Sequence, residues 1–277
     1  MNQGFIKVAA GTPQVTVADC KANTRAILEV IREMETQHAK LMVLPELCIT
    51  GYTCQDLFLQ RRLLDSAWET LMRIAADTAD VDALIFLGVP VRNKGKLYNA
   101  AAVLNRGEIL GLVPKSYLPN YGEFYEQRHF VSGLGCLEFM SINGKKIPFG
   151  TNLLFVCEEL QELIVAAEIC EDLWVNMPPS VIHAQAGANL IVNLSASNEM
   201  VGKDSYRRSL VSGQSARLVC GYVYANAGEG ESTQDLVFGG QNMIAENGSI
   251  LAEGERFKNG IVYSEIDVQR LNDERKR

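Results

Sequence analysis

The chain has 277 residues, 47% of them hydrophobic and 21% charged, with a formal net charge of −7. A chain of this length can bury a sizeable core in one compact domain; its apolar runs, such as Ala83 to Val91, are too short to cross a bilayer, and its acidic balance argues against a nucleic-acid partner. Seven cysteines, at positions 20, 48, 54, 136, 157, 170 and 220, show no C-x-x-C spacing, so reduced thiols are predicted rather than a disulfide framework or a zinc site. The N-terminus lacks a basic region followed by a long apolar one, so the expectation is a cytoplasmic protein with a small-molecule partner.

In chain order, Phe5 to Ala10 reads as a strand. Thr16 with Asp19 has the pattern of a capping box opening a helix through about Gln37, with Ile27, Ile31 and Met34 on its buried face. Leu41 to Leu44 reads as a strand, Ser66 to Thr78 as a helix and Ala83 to Val89 as a further strand, which is a βαβ rhythm. From Leu97 the order becomes strand, turn at Asn105-Arg106-Gly107, strand; this predicts an antiparallel hairpin and hence a mixed sheet. Leu163 to Ala167, Asn189 to Asn193 and Gly221 to Ala225 are further buried strands, with helices over Pro178 to Ala186 and Asp204 to Leu218 between them. A final antiparallel set turns at Glu246-Asn247-Gly248. The order predicts an α/β protein with two helical layers over two mixed sheets, one domain over 1–268, and Gln269 to Arg277 as the start of a helix or linker leading elsewhere.

Several chemistries are absent by inspection: there is no G-x-S-x-G elbow, no G-x-x-x-x-G-K-[ST] loop, no G-x-G-x-x-G and no H-E-x-x-H. Thiol, carboxylate and lysine remain. Cys170 follows an apolar strand and precedes a turn, which presents it at a rim, though a cysteine taken alone is more often a buried small hydrophobe. Glu168, Glu171 and Asp172 around it disfavour a thiolate unless a cation or proton acceptor offsets them. Glu46, in Leu44-Pro45-Glu46, directly follows a strand and suits a general base; the plainer alternative is a rim carboxylate. Lys115 follows the hairpin and suits stabilisation of an oxyanion; the plainer alternative is a solvated ammonium. Each is weak alone, and the weight lies in three such groups at the ends of three strands.

Leu44-Pro45-Glu46, Pro114-Lys115-Ser116-Tyr117-Leu118-Pro119 and Glu168-Ile169-Cys170-Glu171-Asp172-Leu173-Trp174 together resemble the nitrilase superfamily of carbon-nitrogen hydrolases. The likeness spans nearly the whole chain and implies an α-β-β-α sandwich with a Glu-Lys-Cys triad. The run from Lys115 to Glu126, Asn193-Leu194-Ser195-Ala196-Ser197, Ala227 to Asp235 and Gly240 to Gly248 look like the glutaminase domain of glutamine-dependent NAD synthetases. The resemblance implies that Glu46 is the general base, that Lys115 holds the tetrahedral oxyanion, and that Cys170 forms a γ-glutamyl thioester while ammonia leaves. It further implies that Glu123 orients Lys115 or the substrate amide, or else serves the structure. Tyr52, Tyr121 and Phe124 are expected to wall the pocket, though core packing explains the aromatics equally well. Glu171 and Ser197 are expected to address the α-amino and carboxylate ends of glutamine. Lys203 stands where related sequences can have arginine, leaving a single-pronged carboxylate contact there.

No metal or cofactor is implied for amide hydrolysis. ATP and deamido-NAD belong to a synthetase domain whose Ser-Gly-Gly-x-Asp-Ser loop does not occur in this sequence. A synthetase domain past Arg277, or a separate synthetase subunit, is therefore expected to receive the ammonia, and homo-oligomers are expected from the resemblance. Three other readings stay open: an amidase or carbamoylase acting on a different amide, a non-catalytic subunit of a synthetase, and a Cys-His hydrolase using His129 or His183.

Overall fold

The structure is a computed structural model describing residues 4–276; Met1 to Gln3, at the head of the predicted domain, and Arg277, at the end of the predicted linker, lie outside the described residues. Strand β1 (Phe5–Gly11) is followed by helix α1 (Cys20–Thr36), β2 (Leu41–Val43), α2 (Arg61–Asp77) and β3 (Leu84–Asn93), with β1, β2 and β3 side by side and parallel. Asp19 caps α1, its carboxylate accepting from the Ala22 amide at 2.9 Å. Thr16 takes no part in a box; its amide donates to Asn23 Oδ1 at 2.7 Å. Helix α2 starts at Arg61 rather than Ser66, because Leu63 and Leu64 already lie on its buried face.

Hairpin β4 (Lys96–Asn105) and β5 (Glu108–Pro114) turns as predicted, with Arg106 at φ 46° and Gly107 at φ 83°. A second hairpin, β6 (Leu137–Ile142) with β7 (Lys145–Gly150), was not predicted; β6 is an edge strand with Leu137 and Phe139 exposed, so its pattern lacks a buried apolar face. Next come β8 (Phe155–Val156), β9 (Ile164–Ile169), α3 (Pro179–Gln185), β10 (Leu190–Ser195), α4 (Lys203–Leu218) and β11 (Gly221–Asn226), with β9, β10 and β11 parallel. The predicted final set divides between sheets. β12 (Met243–Glu246) and β13 (Ser249–Glu253) extend the second sheet, whereas β14 (Ile261–Asp267) pairs antiparallel with β1 of the first. Helix α5 (Val268–Arg275) covers the predicted linker. It folds back onto the body: Val268 and Leu271 are buried, and Arg275 donates to the carbonyls of Ala188 at 2.7 Å and Leu218 at 3.0 Å.

Among the described residues the strands form an eight-stranded sheet, β14-β1-β2-β3-β4-β5-β7-β6, and a six-stranded sheet, β13-β12-β11-β10-β9-β8. Side-chain alternation sorts the core into three layers. Val8, Ala10, Val43 and Phe86 of the first sheet meet Val165, Ala167, Val192 and Val223 of the second. On the outer face of the first sheet, Ala9, Met42 and Ile85 pack under Ile27, Ile31 and Met34 of α1 and under α2. On the outer face of the second, Ala166, Ile191 and Tyr222 meet Val211 of α4. Strands buried on both faces explain the unbroken apolar runs in the sequence, and the result is the expected α-β-β-α order.

Candidate active site

Glu46 and Lys115 hang from the first sheet and Cys170 from the second. The chain leaving β2 crosses directly over β3 at Gly88, where a Cβ would lie 2.0 Å from the Leu47 amide nitrogen, so only glycine admits the crossing. That crossing sets Glu46 inside the molecule. Lys115 follows β5, its amide donating to the Asn99 carbonyl at 2.8 Å, and its side chain is fully buried. Its ammonium lies 2.6 Å from Glu46 Oε1 and 2.6 Å from Glu126 Oε1.

The place expected for Glu123 beside Lys115 is taken by Glu126, at the start of a short 3-10 turn over Glu126–Arg128. Glu123 instead accepts from the Asn198 side chain, whose amide oxygen meets Lys203. Glu126 also accepts from the Tyr52 hydroxyl at 2.8 Å. Tyr52 is thus a buried support for Glu126 as well as part of the cleft wall. Its loop is anchored from below by the buried Glu231 carboxylate, which accepts from the amides of Tyr52 at 2.6 Å and Thr53 at 3.0 Å. Two further supports had not been singled out. Asn99 Nδ2 donates to Glu46 Oε1 at 2.6 Å, and the Ala196 amide, across the seam between the sheets, donates to Glu46 Oε2 at 2.8 Å. The signal for Asn99 was a lone amide at the head of Ala100-Ala101-Ala102-Val103; for Glu126 it was a second glutamate three residues past Glu123.

Cys170 sits immediately after β9 with φ 43°, in the left-handed region that L residues rarely occupy. Burial, then the Glu46 carboxylate, pushes its thiol well above the usual cysteine range; Lys115 opposes this and Glu126 adds to it. The resting thiol is therefore protonated, and attack requires a base. The other acids flanking Cys170 are accounted for. Glu168 faces the outer side of the second sheet, where it accepts from the Ser180 amide at 2.9 Å. Asp172 turns back to accept from the amides of Ile169 at 2.9 Å and Tyr117 at 2.8 Å, tying the segment after Lys115 to the cysteine turn; burial pushes its carboxyl up to about 8. Burial likewise raises Glu126 to about 7, against the pull of Lys115. Burial disfavours the Lys115 ammonium, but Glu126 and Glu46 together hold its pKa well above the ordinary lysine value.

The expected pocket residues fall into two groups. Tyr52, Glu123, Phe124 and Glu126 line a small solvent-open cleft of about 30 Å³, whose lining includes neither Cys170 nor Lys115. Beside it, the Tyr121 hydroxyl donates to Glu171 at 2.9 Å, the Tyr121 and Phe124 rings meet edge-on with centroids 5.8 Å apart, and Lys203 Nζ lies 5.1 Å from the centre of the Trp174 ring and 5.7 Å from that of Phe124. Burial lowers the Lys203 ammonium pKa, and burial raises the Glu171 carboxyl. Ser197 stands apart from both groups, with its hydroxyl accepting from buried Arg207 at 3.3 Å. Both histidines offered for a Cys-His pair are engaged elsewhere: His129 Nε2 with Asp56 at 2.9 Å, and His183 Nε2 with the Thr151 carbonyl at 2.8 Å. Among the described residues no group of three or more His, Cys, Asp or Glu is arranged to hold a metal ion.

A carbon-nitrogen hydrolase profile matches residues 7–276. The glutamine-dependent NAD(+) synthetase of Mycobacterium tuberculosis is 44% identical over 276 residues, which is 99% of this chain and 41% of that protein. That of Aquifex aeolicus is 32% identical over 254 residues, 91% of this chain and 41% of that protein. The crystal structure of a glutamine-dependent NAD(+) synthetase from Cytophaga hutchinsonii superposes with a TM-score of 0.85 at 33% identity, over 95% of this chain and 43% of that chain. An amidase of the nitrilase superfamily from Nesterenkonia superposes with a TM-score of 0.74 at 21% identity, over 98% of this chain and 94% of that one, and shares the fold. The chain spans about two fifths of the length of these synthetase relatives.

Proposed function

Since this chain belongs to the carbon-nitrogen hydrolase family, we propose that it hydrolyses the side-chain amide of L-glutamine through Cys170, and that the ammonia serves an ATP-dependent NAD synthetase domain or subunit. The observation that carries the reading is the buried Glu46-Lys115-Glu126 cluster acting electrostatically on the buried Cys170, which sits on a turn at φ 43°. Glu46 takes the thiol proton as sulfur attacks the amide carbon. The Lys115 ammonium holds the oxyanion in a water-poor site, where such a charge counts for far more than in water. Glu46 returns the proton to the departing nitrogen, ammonia leaves and a thioester remains. Glu46 then deprotonates a water that attacks the thioester, freeing glutamate and restoring the thiol. Asn99 and the Ala196 amide keep Glu46 aimed throughout, and Glu126 with Tyr52 fixes Lys115 from its other side.

These steps call on no metal or cofactor; ATP and deamido-NAD are assigned to the synthetase reaction. Tyr121, Phe124, Glu171 and Lys203 surround a mouth with both charge signs, which suits a substrate carrying an α-amino and an α-carboxylate group. A homo-oligomer in the cytoplasm is part of the same proposal. The test is ammonia and glutamate release from L-glutamine by this chain beside Cys170→Ala, with and without a separately supplied synthetase domain. Release is expected from the parent and a loss of about a thousandfold or more from the variant. Faster turnover of simple aliphatic amides than of glutamine would replace the glutaminase reading by a general amidase.

A further inference from the structure

Strand alternation alone places Cys170 on the wrong face. Along β9, Ala167 and Ile169 point into the seam between the sheets and Glu168 points outward, so a continued strand would turn Cys170 outward as well. Instead Cys170 lies with Ile169 in the seam, because its backbone at φ 43° reverses the pleat. An L residue takes that conformation at a cost, which contacts around it must offset.

We infer that a buried hydrogen-bond chain running Glu168, Tyr222, Asn193 supplies these contacts, and that Asn193 and Tyr222 are positioning residues for the thiol; this rests on reading Cys170 as the nucleophile. Asn193 Oδ1 accepts from the Cys170 amide at 3.2 Å and from the Ser195 hydroxyl at 2.7 Å. Asn193 Nδ2 donates to the Tyr222 hydroxyl at 3.0 Å, and that hydroxyl donates to Glu168 Oε1 at 2.5 Å. The Ser180 amide closes the chain on Glu168 Oε2 at 2.9 Å. Glu168, Asn193 and Tyr222 come from three neighbouring parallel strands, β9, β10 and β11, and Glu168 and Asn193 are cross-strand partners. All three are buried. The three bonds from the Cys170 amide through Asn193 and Tyr222 to the Glu168 carboxylate point the same way, so each polarises the next and strengthens the grip on the amide. None of these groups faces the cleft, and no chemical step uses Glu168; what the chain touches is the backbone of the residue whose side chain reacts.

Tyr222→Phe tests this by removing one hydroxyl while keeping the ring packed. Its comparison is Val211→Ala, a truncation in the same outer core layer that leaves the chain of bonds intact. With glutamine as substrate, Tyr222→Phe is expected to lower kcat about tenfold or more with KM within about twofold, while Val211→Ala stays within about twofold on both. A kcat for Tyr222→Phe within twofold of the parent overturns the inference, and so does an equal fall in Val211→Ala. If the parent itself releases no glutamate from glutamine, the glutaminase reading fails separately. The positioning claim is then read from iodoacetamide labelling of Cys170 followed by peptide mass spectrometry. At least a threefold slower labelling in Tyr222→Phe supports it, and equal rates overturn it.

Discussion

At the scale of single residues, the site keeps one ammonium between two carboxylates beside a neutral thiol, all away from water. Burial, and after it the neighbouring Glu46 carboxylate, raises the pKa of Glu126 to about 7 against the pull of Lys115. A carboxyl raised in the folded state binds protons more readily folded than unfolded. Its contribution to stability is therefore complete below about pH 4.5 and is lost as pH rises toward about 7. Glu126→Gln removes that dependence. The melting temperature of the parent is expected to fall between pH 5 and pH 8 by roughly 5 °C more than that of the variant, read by thermal unfolding in matched buffers. Asp172, raised to about 8, has the same sign, so the variant keeps part of the slope. Glu46, Lys115 and Cys170 were legible as candidates because each follows an apolar strand, where a strand end dictates where the next side chain emerges, and because the motifs around them resemble one family. Glu126 was not. It lies in a stretch without periodicity, where only the folded loop turns Phe124 and Glu126 inward and Tyr125 outward.

At the scale of elements, the site depends on one close crossing of backbones. Because the loop bearing Glu46 lies against Gly88 of β3, any side chain at position 88 displaces the loop rather than a flexible neighbour. Gly88→Ala is expected to cost about 1–3 kcal/mol or more in stability and to lower kcat by about a hundredfold, checked by urea unfolding beside glutaminase kinetics. A variant that kept kcat while losing stability would show that Glu46 does not need this path. The same crossing shows where pattern reading stops. Alternating and continuous apolar runs reveal β1, β2, β3, β9, β10 and β11, whose burial on both faces is written in composition. They do not reveal β6, an edge strand with Leu137 and Phe139 exposed, nor the partner chosen by β14, since antiparallel pairing with β1 is a long-range choice between two sheets of similar character.

At the scale of the whole molecule, the two sheets meet over a largely apolar seam, with Val8, Val43 and Phe86 on one side and Val165, Val192 and Val223 on the other, crossed by a few hydrogen bonds at its margins. Hydrophobic contact of this kind is strong but non-directional, so it fixes how tightly the sheets dock better than it fixes their lateral alignment. Lateral alignment is what the proposed chemistry needs, because Glu46 and Lys115 ride on one sheet and the Cys170 thiol on the other, with the 2.8 Å bond from the Ala196 amide to Glu46 spanning the join. A slip of about 1 Å between the sheets would leave every strand intact and still cost about a hundredfold in rate. In mild urea, glutaminase activity is therefore expected to fade at concentrations where the far-UV circular dichroism is unchanged, and coincident loss of the two signals would show the seam to be rigid. On this view, turnover gauges how well two halves of the protein are aligned, and it fails at a slippage too small for any measure of secondary structure to register.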